Sequence, residues 1–132
     1  MSHDFDAWMK KREAAAHAYV NGDASPLDAL VTSNDPATFY SPQGDVTQGA
    51  KGVTARYDKD VGSFRKPGTT RFEVLQPGSD GGLAFWTGYQ HAEVHLGDRP
   101  DAIFMKLRIT EVFRFEDGEW RLVHRHADAP KA

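Results

Sequence analysis

The 132-residue chain contains no cysteine. Thiol nucleophiles, disulfide frameworks and thiolate-bound zinc are therefore excluded, and the composition suits a reducing compartment. Long apolar runs are also missing. No stretch approaches the roughly 18 apolar residues of a membrane-spanning helix, and no apolar segment follows a charged start. These absences set the expectation of a soluble, cytoplasmic protein with no membrane partner. Positive charge is not in surplus: 16 Lys and Arg face 19 Asp and Glu, for a net charge of −3. That balance offers no footprint for a phosphate backbone, so nucleic acid is not an expected partner. Gly-rich phosphate loops, a G-x-S-x-G elbow and an H-E-x-x-H helix are absent as well, and no cofactor is expected.

What remains is an ordinary globular profile, 39% hydrophobic, 27% charged and 11% aromatic. A chain of this length buries roughly two-thirds of its unfolded surface without a staple. It is too short for separate cofactor and substrate domains, so residues 1–132 read as one domain.

Phe5, Trp8, Met9, Ala15, Ala16, Tyr19 and Val20 recur at helical spacing, with Lys10, Lys11 and Glu13 on the other side. Asn21-Gly22-Asp23 ends this first helix, with Gly22 as a left-handed cap. Ser25 as N-cap and Pro26 as first residue start a short second helix through Leu27, Leu30 and Val31. Ala37 to Tyr40 reads as a brief strand, with Val46 to Gln48 beside it. A third helix is predicted from Ala50 to about Phe64, striped by Val53, Tyr57, Val61 and Phe64. The texture then turns to strands at Thr70–Gln76, Leu83–Leu96, Ile103–Phe115 and Trp120–Ala127, separated by turn-rich segments. Helices first and a strand meander after them indicate an α+β fold, with a curved sheet wrapped around the helices.

The final hairpin carries the chemistry. Asp117-Gly118 is a two-residue turn signal that fixes register if the turn is type I′. Phe115 then faces Trp120, Phe113 faces Leu122, Glu111 faces His124 and Ile109 faces His126, all on the buried face. An ionised group in that apolar set needs a partner, so Glu111 and His124 are the expected pair and the best acid/base candidate. The same pair could instead serve only to fix strand register. With a different turn length the faces swap, and Arg108, Thr110 and Arg125 line the interior as an anion site. His124, His126 and Glu111 also form a weak three-ligand metal pattern, with His91 as a fourth member. His3 and His17 are expected at the surface.

Several strings resemble one superfamily, the nuclear transport factor 2-like fold: YVNGD closing the first helix, ATFYSPQG, QGAKGVTARY opening the third, and RITEVFRFEDGEWRLVHRHAD at the end. The last string is most similar to the SnoaL-like and ketosteroid isomerase-like branches. The resemblance implies a cone-shaped α+β barrel, three N-terminal helices packed in a curved, mostly antiparallel sheet, and a homodimer. Residue by residue, it sets Ser41 where ketosteroid isomerases carry their aspartate base and Ala15 where they carry an oxyanion-hole tyrosine. Tyr57 matches their supporting tyrosine, and Glu111 matches the position of a protonated aspartic acid donor. With two positions lost, steroid isomerisation through the usual base is not expected.

Together these readings point to a small-molecule pocket domain, an isomerase, cyclase or hydrolase acting on a compact apolar substrate. Glu111 and His124 are the expected proton-transfer pair, His126 orients them, and Tyr40, Tyr57, Trp86, Phe113 and Trp120 are the expected walls. The alternative is a dimeric binding or association module without chemistry.

Overall fold

The computed structural model describes residues 4–130; His3 lies outside them. Helix α1 (Phe5–Tyr19) lays Phe5, Trp8, Ala15 and Ala16 into the core, and Arg12 is buried on the same stripe. Gly22 takes the expected left-handed conformation, φ 91°. Helix α2 (Ser25–Leu30) begins at Ser25 itself rather than after it. The capping acceptor is Asp23, whose Oδ1 receives the Ser25 N–H at 3.0 Å and its hydroxyl at 2.7 Å. An acidic side chain two residues before Ser25 thus takes the first N–H of the helix.

Strands β1 (Thr38–Tyr40) and β2 (Val46–Gln48) pair antiparallel, and α3 (Ala50–Asp60) follows. The third helix is shorter than its apolar stripe predicts. Gly62 and Ser63 are poor helix formers, a 3-10 turn covers Val61–Ser63, and Phe64 already opens a strand. That strand, β3 (Phe64–Asp80), far outruns the predicted Thr70–Gln76. Pro67 and Pro77 hid its length. It is an edge strand, where a missing N–H breaks no ladder on the open side. β4 (Leu83–Leu96), β5 (Ile103–Glu116) and β6 (Glu119–Asp128) sit within a residue of their predicted bounds.

The six strands form one sheet in the order β2-β1-β6-β5-β4-β3, antiparallel except where β1 runs parallel to β6. Its inner face packs on the helices around Trp86, Phe113, Trp120 and Leu122, all at most 2% exposed. Trp8 of α1 meets Phe113 edge-on, with centroids 4.6 Å apart. Among the described residues, no helix is long and apolar enough to cross a membrane.

The last hairpin starts as predicted and then departs. Asp117 and Gly118 both have positive φ, 51° and 83°, as a type I′ turn requires. Phe115 pairs Trp120 and Phe113 pairs Leu122. One extra residue, Val123, then enters β6, and every later partner moves by one: Val112 faces His124, Glu111 faces Arg125, Thr110 faces His126 and Ile109 faces Ala127. Because side chains alternate, this bulge turns His124 and His126 to the outer face and Arg125 inward. A regular ladder would bury His126 opposite Ile109. The bulged ladder buries Ala127 there, 1% exposed, and brings a guanidinium to Glu111.

Candidate functional site

Glu111 is wholly buried. Its Oε1 accepts from Arg12 Nε at 3.0 Å and from Trp86 Nε1 at 2.9 Å. Its Oε2 accepts from Arg12 Nη2 and Arg125 Nη1, each at 2.7 Å. Four donors fill the acceptor sites of one carboxylate. Burial alone pushes the Glu111 carboxyl upward, but the Arg12 and Arg125 guanidiniums outweigh it and bring the group down to about 2. A carboxylate both saturated and permanently ionised near neutral pH has neither a free lone pair nor a proton to exchange. Glu111 is therefore an anchor for two cations, not an acid/base group.

The expected Glu111–His124 pair does not form. His124 lies on the outer face, its Nδ1 2.7 Å from the Thr38 hydroxyl of β1. Burial and the neighbouring His126 lower its pKa, so its imidazole is neutral near pH 7. His126 is half-exposed and approaches Asp128 at 3.4 Å. Tyr40, expected as a wall, is 40% exposed and packs its ring on these two imidazoles, with centroids 5.0 and 5.5 Å away. The three-ligand pattern also fails, because Glu111 and the two histidines occupy opposite faces of the sheet. His91 pairs with Glu73 at 2.7 Å instead, and among the described residues no three such side chains gather as a metal-binding group.

A cavity of about 290 Å³ does open between the helices and the inner sheet face. Phe39, Met105, Leu107 and Ala127 give it apolar walls, and Arg12, Arg125, Gln90 and Tyr57 supply polar groups at its floor. Arg125 Nη2 donates to Gln90 Oε1 at 2.6 Å, and Gln90 Nε2 donates to Thr70 Oγ1 at 3.0 Å. The second guanidinium is thus held from two sides. Of the five expected wall residues, Tyr57 alone is in the cavity lining. Trp86 stands behind the floor as a donor to Glu111, while Phe113 and Trp120 are filled core. Ala15 is sealed in that core, and Ser41 is buried with its hydroxyl donating to Asp45.

Arg12 and Gln90 were not singled out from the sequence. A signal for Arg12 was present: it falls on the stripe between Trp8 and Ala15, where a charged residue needs a buried partner. Gln90 alternates with Trp86 and Val94 on β4 and offers the same kind of clue.

Solved structures share this architecture at low sequence identity. A protein from Streptomyces avermitilis, described as a dehydratase of the NTF2-like family, is 20% identical with a TM-score of 0.81, over 98% of this chain and 97% of that one. An NTF2-like superfamily protein from Salmonella enterica serovar Typhimurium is 17% identical with a TM-score of 0.75, over 94% and 87%. A protein from Thiobacillus denitrificans described as a calcium/calmodulin-dependent protein kinase type II association domain is 17% identical with a TM-score of 0.73, over 96% and 94%. These likenesses establish the fold alone. No curated protein matches the chain in sequence. The model of the SnoaL-like domain matches residues 12–131, nearly the whole described chain, and the protein belongs to that family.

Proposed function

We propose that the protein binds a compact, largely apolar small molecule in the cavity above Glu111, with Arg12, Arg125 and Tyr57 meeting the ligand's polar end. The observation that carries this reading is the cavity itself: about 290 Å³, largely apolar in its lining, with Arg12 and Arg125 drawn together there by Glu111. That is near the lower size of small-molecule sites, which suits a single-ring or short branched ligand. The chemistry this floor offers is electrostatic, since donors can hold or polarise an oxygen without moving a proton. Among the described lining residues Asp60 is the one carboxylate, and Arg56 Nε holds it at 2.8 Å.

A thermal-shift screen of single-ring phenols, lactones, epoxides and carboxylic acids tests this. A ligand at 100 times its Kd adds roughly 2.7 kcal/mol. Leu107→Trp, which fills the cavity, is expected to abolish the shift. Equal shifts in wild type and Leu107→Trp would place binding elsewhere.

We also propose that two copies associate through the outer sheet face. Phe104, 82% exposed, and Leu75, 62% exposed, stand there among charged side chains, an arrangement suited to a polar-rimmed contact. Light scattering after chromatography is expected to give twice the chain mass for wild type and less for Phe104→Lys. A wild-type monomer at micromolar concentration contradicts the proposal.

A further inference from the structure

Two buried polar atoms at the cavity have no hydrogen-bond partner among the described residues: Arg12 Nη1 and Tyr57 Oη. Both side chains line the cavity, and both are nearly inaccessible, Arg12 at 2% and Tyr57 at 3% exposure. The remaining polar atoms of Arg12, Nε and Nη2, are taken by Glu111. The Tyr57 backbone carbonyl accepts the Tyr19 hydroxyl at 3.0 Å, and its own hydroxyl has no partner among the described residues. Burial raises the Tyr57 phenol above its ordinary range, so it stays a neutral donor. Native interiors rarely leave such donors without an acceptor.

The charge of the floor points the same way. Two guanidiniums face one carboxylate, which leaves a positive charge in a setting of low dielectric. Asp60 at the cavity lining makes no ion pair with Arg12 or Arg125; it is held by Arg56, which Asp45 also pairs. Unspent donors beside a surplus cation are complementary to an acceptor that brings negative charge.

We propose that the cavity takes a compact carboxylic acid, its carboxylate accepting from Arg12 Nη1 and Tyr57 Oη and its apolar body lying against Met105 and Leu107. The proposal rests on the cavity being the ligand site and adds the ligand's chemical class. Glu111 then acts as a positioning residue: by occupying one edge of the Arg12 guanidinium it turns the other edge to the ligand.

Calorimetric titration of the full chain with phenylacetate, and with the neutral phenylacetamide of similar shape, tests this. Phenylacetate is expected to bind at least about tenfold tighter, since a hydrogen bond to a charged group is worth roughly that factor or more. Tyr57→Phe, which keeps the ring, is expected to cut that preference several-fold. Arg12→Lys keeps the charge on Glu111 but removes Nη1, and provides the same readout if Tyr57→Phe does not fold. Equal affinity for acid and amide, with both lost in Leu107→Trp, overturns the carboxylate class and leaves the cavity reading standing. Binding of neither compound overturns the carboxylate class, and binding that survives Leu107→Trp overturns the inference together with the cavity reading.

Discussion

Arg125 Nη1 donates to Glu111 Oε2 at 2.7 Å across β5 and β6, and the contact exists because Val123 is an extra residue in β6. Arg12 Nη2 reaches the same oxygen from α1, at 2.7 Å. One buried carboxylate thus ties the first helix to the last two strands and sets the charge of the cavity floor.

Removing that carboxylate leaves two buried cations without their counter-ion. Glu111→Gln is expected to destabilise the protein by about 3–5 kcal/mol, read from denaturant unfolding. The folded carboxyl, at about 2, lies below the unfolded value of about 4.3. Its contribution is therefore complete above pH ~4.3 and is lost as pH falls toward ~2. A loss under about 1 kcal/mol for Glu111→Gln near neutral pH contradicts the anchor role.

The His126 imidazole carries no comparable weight. His126 is 46% exposed beside Asp128, and exposed pairs contribute about 0–1 kcal/mol. His126→Ala is expected to change stability by less than about 1 kcal/mol and to leave ligand binding unchanged. A variant that loses binding in the calorimeter while staying folded would return the histidine to the site.

The α+β class, the strand meander and the buried face of β5 were legible because they rest on period and turn chemistry, which are local. Ile109, Phe113, Trp120 and Leu122 are buried as alternation predicts. Beyond Glu111 and Tyr57 the site was not legible, because one inserted residue reverses the faces of all that follow it. Nothing in the string Leu122-Val123-His124 marks a bulge, and the contact it makes possible, Arg125 on Glu111, is non-local. Arg12, 99 residues away, was hidden for the same reason. The swapped-face alternative had Arg125 inside, but it attributed the swap to the turn, whereas the turn is regular and the bulge makes the change.

Gly88 offers a test of the β3–β4 seam. It faces Val74 next to a register shift, and a Cβ there would run into the Glu73 carbonyl oxygen. Backbone cannot yield as a flexible side chain does, so Gly88→Ala is expected to cost about 1–3 kcal/mol. Unfolding midpoints of the two proteins read this directly, and an unchanged midpoint contradicts the close packing.

Asp28 of α2 lies beside Asp58 of α3, and burial together with that second carboxylate pushes its pKa up to about 7. A folded pKa above the unfolded value means stability is lost as pH rises through it. Asp28→Asn is expected to raise the melting temperature at pH 8, with the gain shrinking below pH ~7 and gone near pH ~4. A gain that is constant across this range contradicts the assignment.

The state of Glu111 decides between an anchor and a proton-transfer group. Following its side-chain carboxyl carbon by nuclear magnetic resonance from pH 8 downward, with folding monitored in parallel, reads that state without any ligand. The structure predicts no titration of this signal until the protein approaches pH ~3, because two guanidiniums and an indole N–H hold the charge. An inflection between about pH 5 and 8 in the folded protein would contradict the account and restore Glu111 as an acid/base residue.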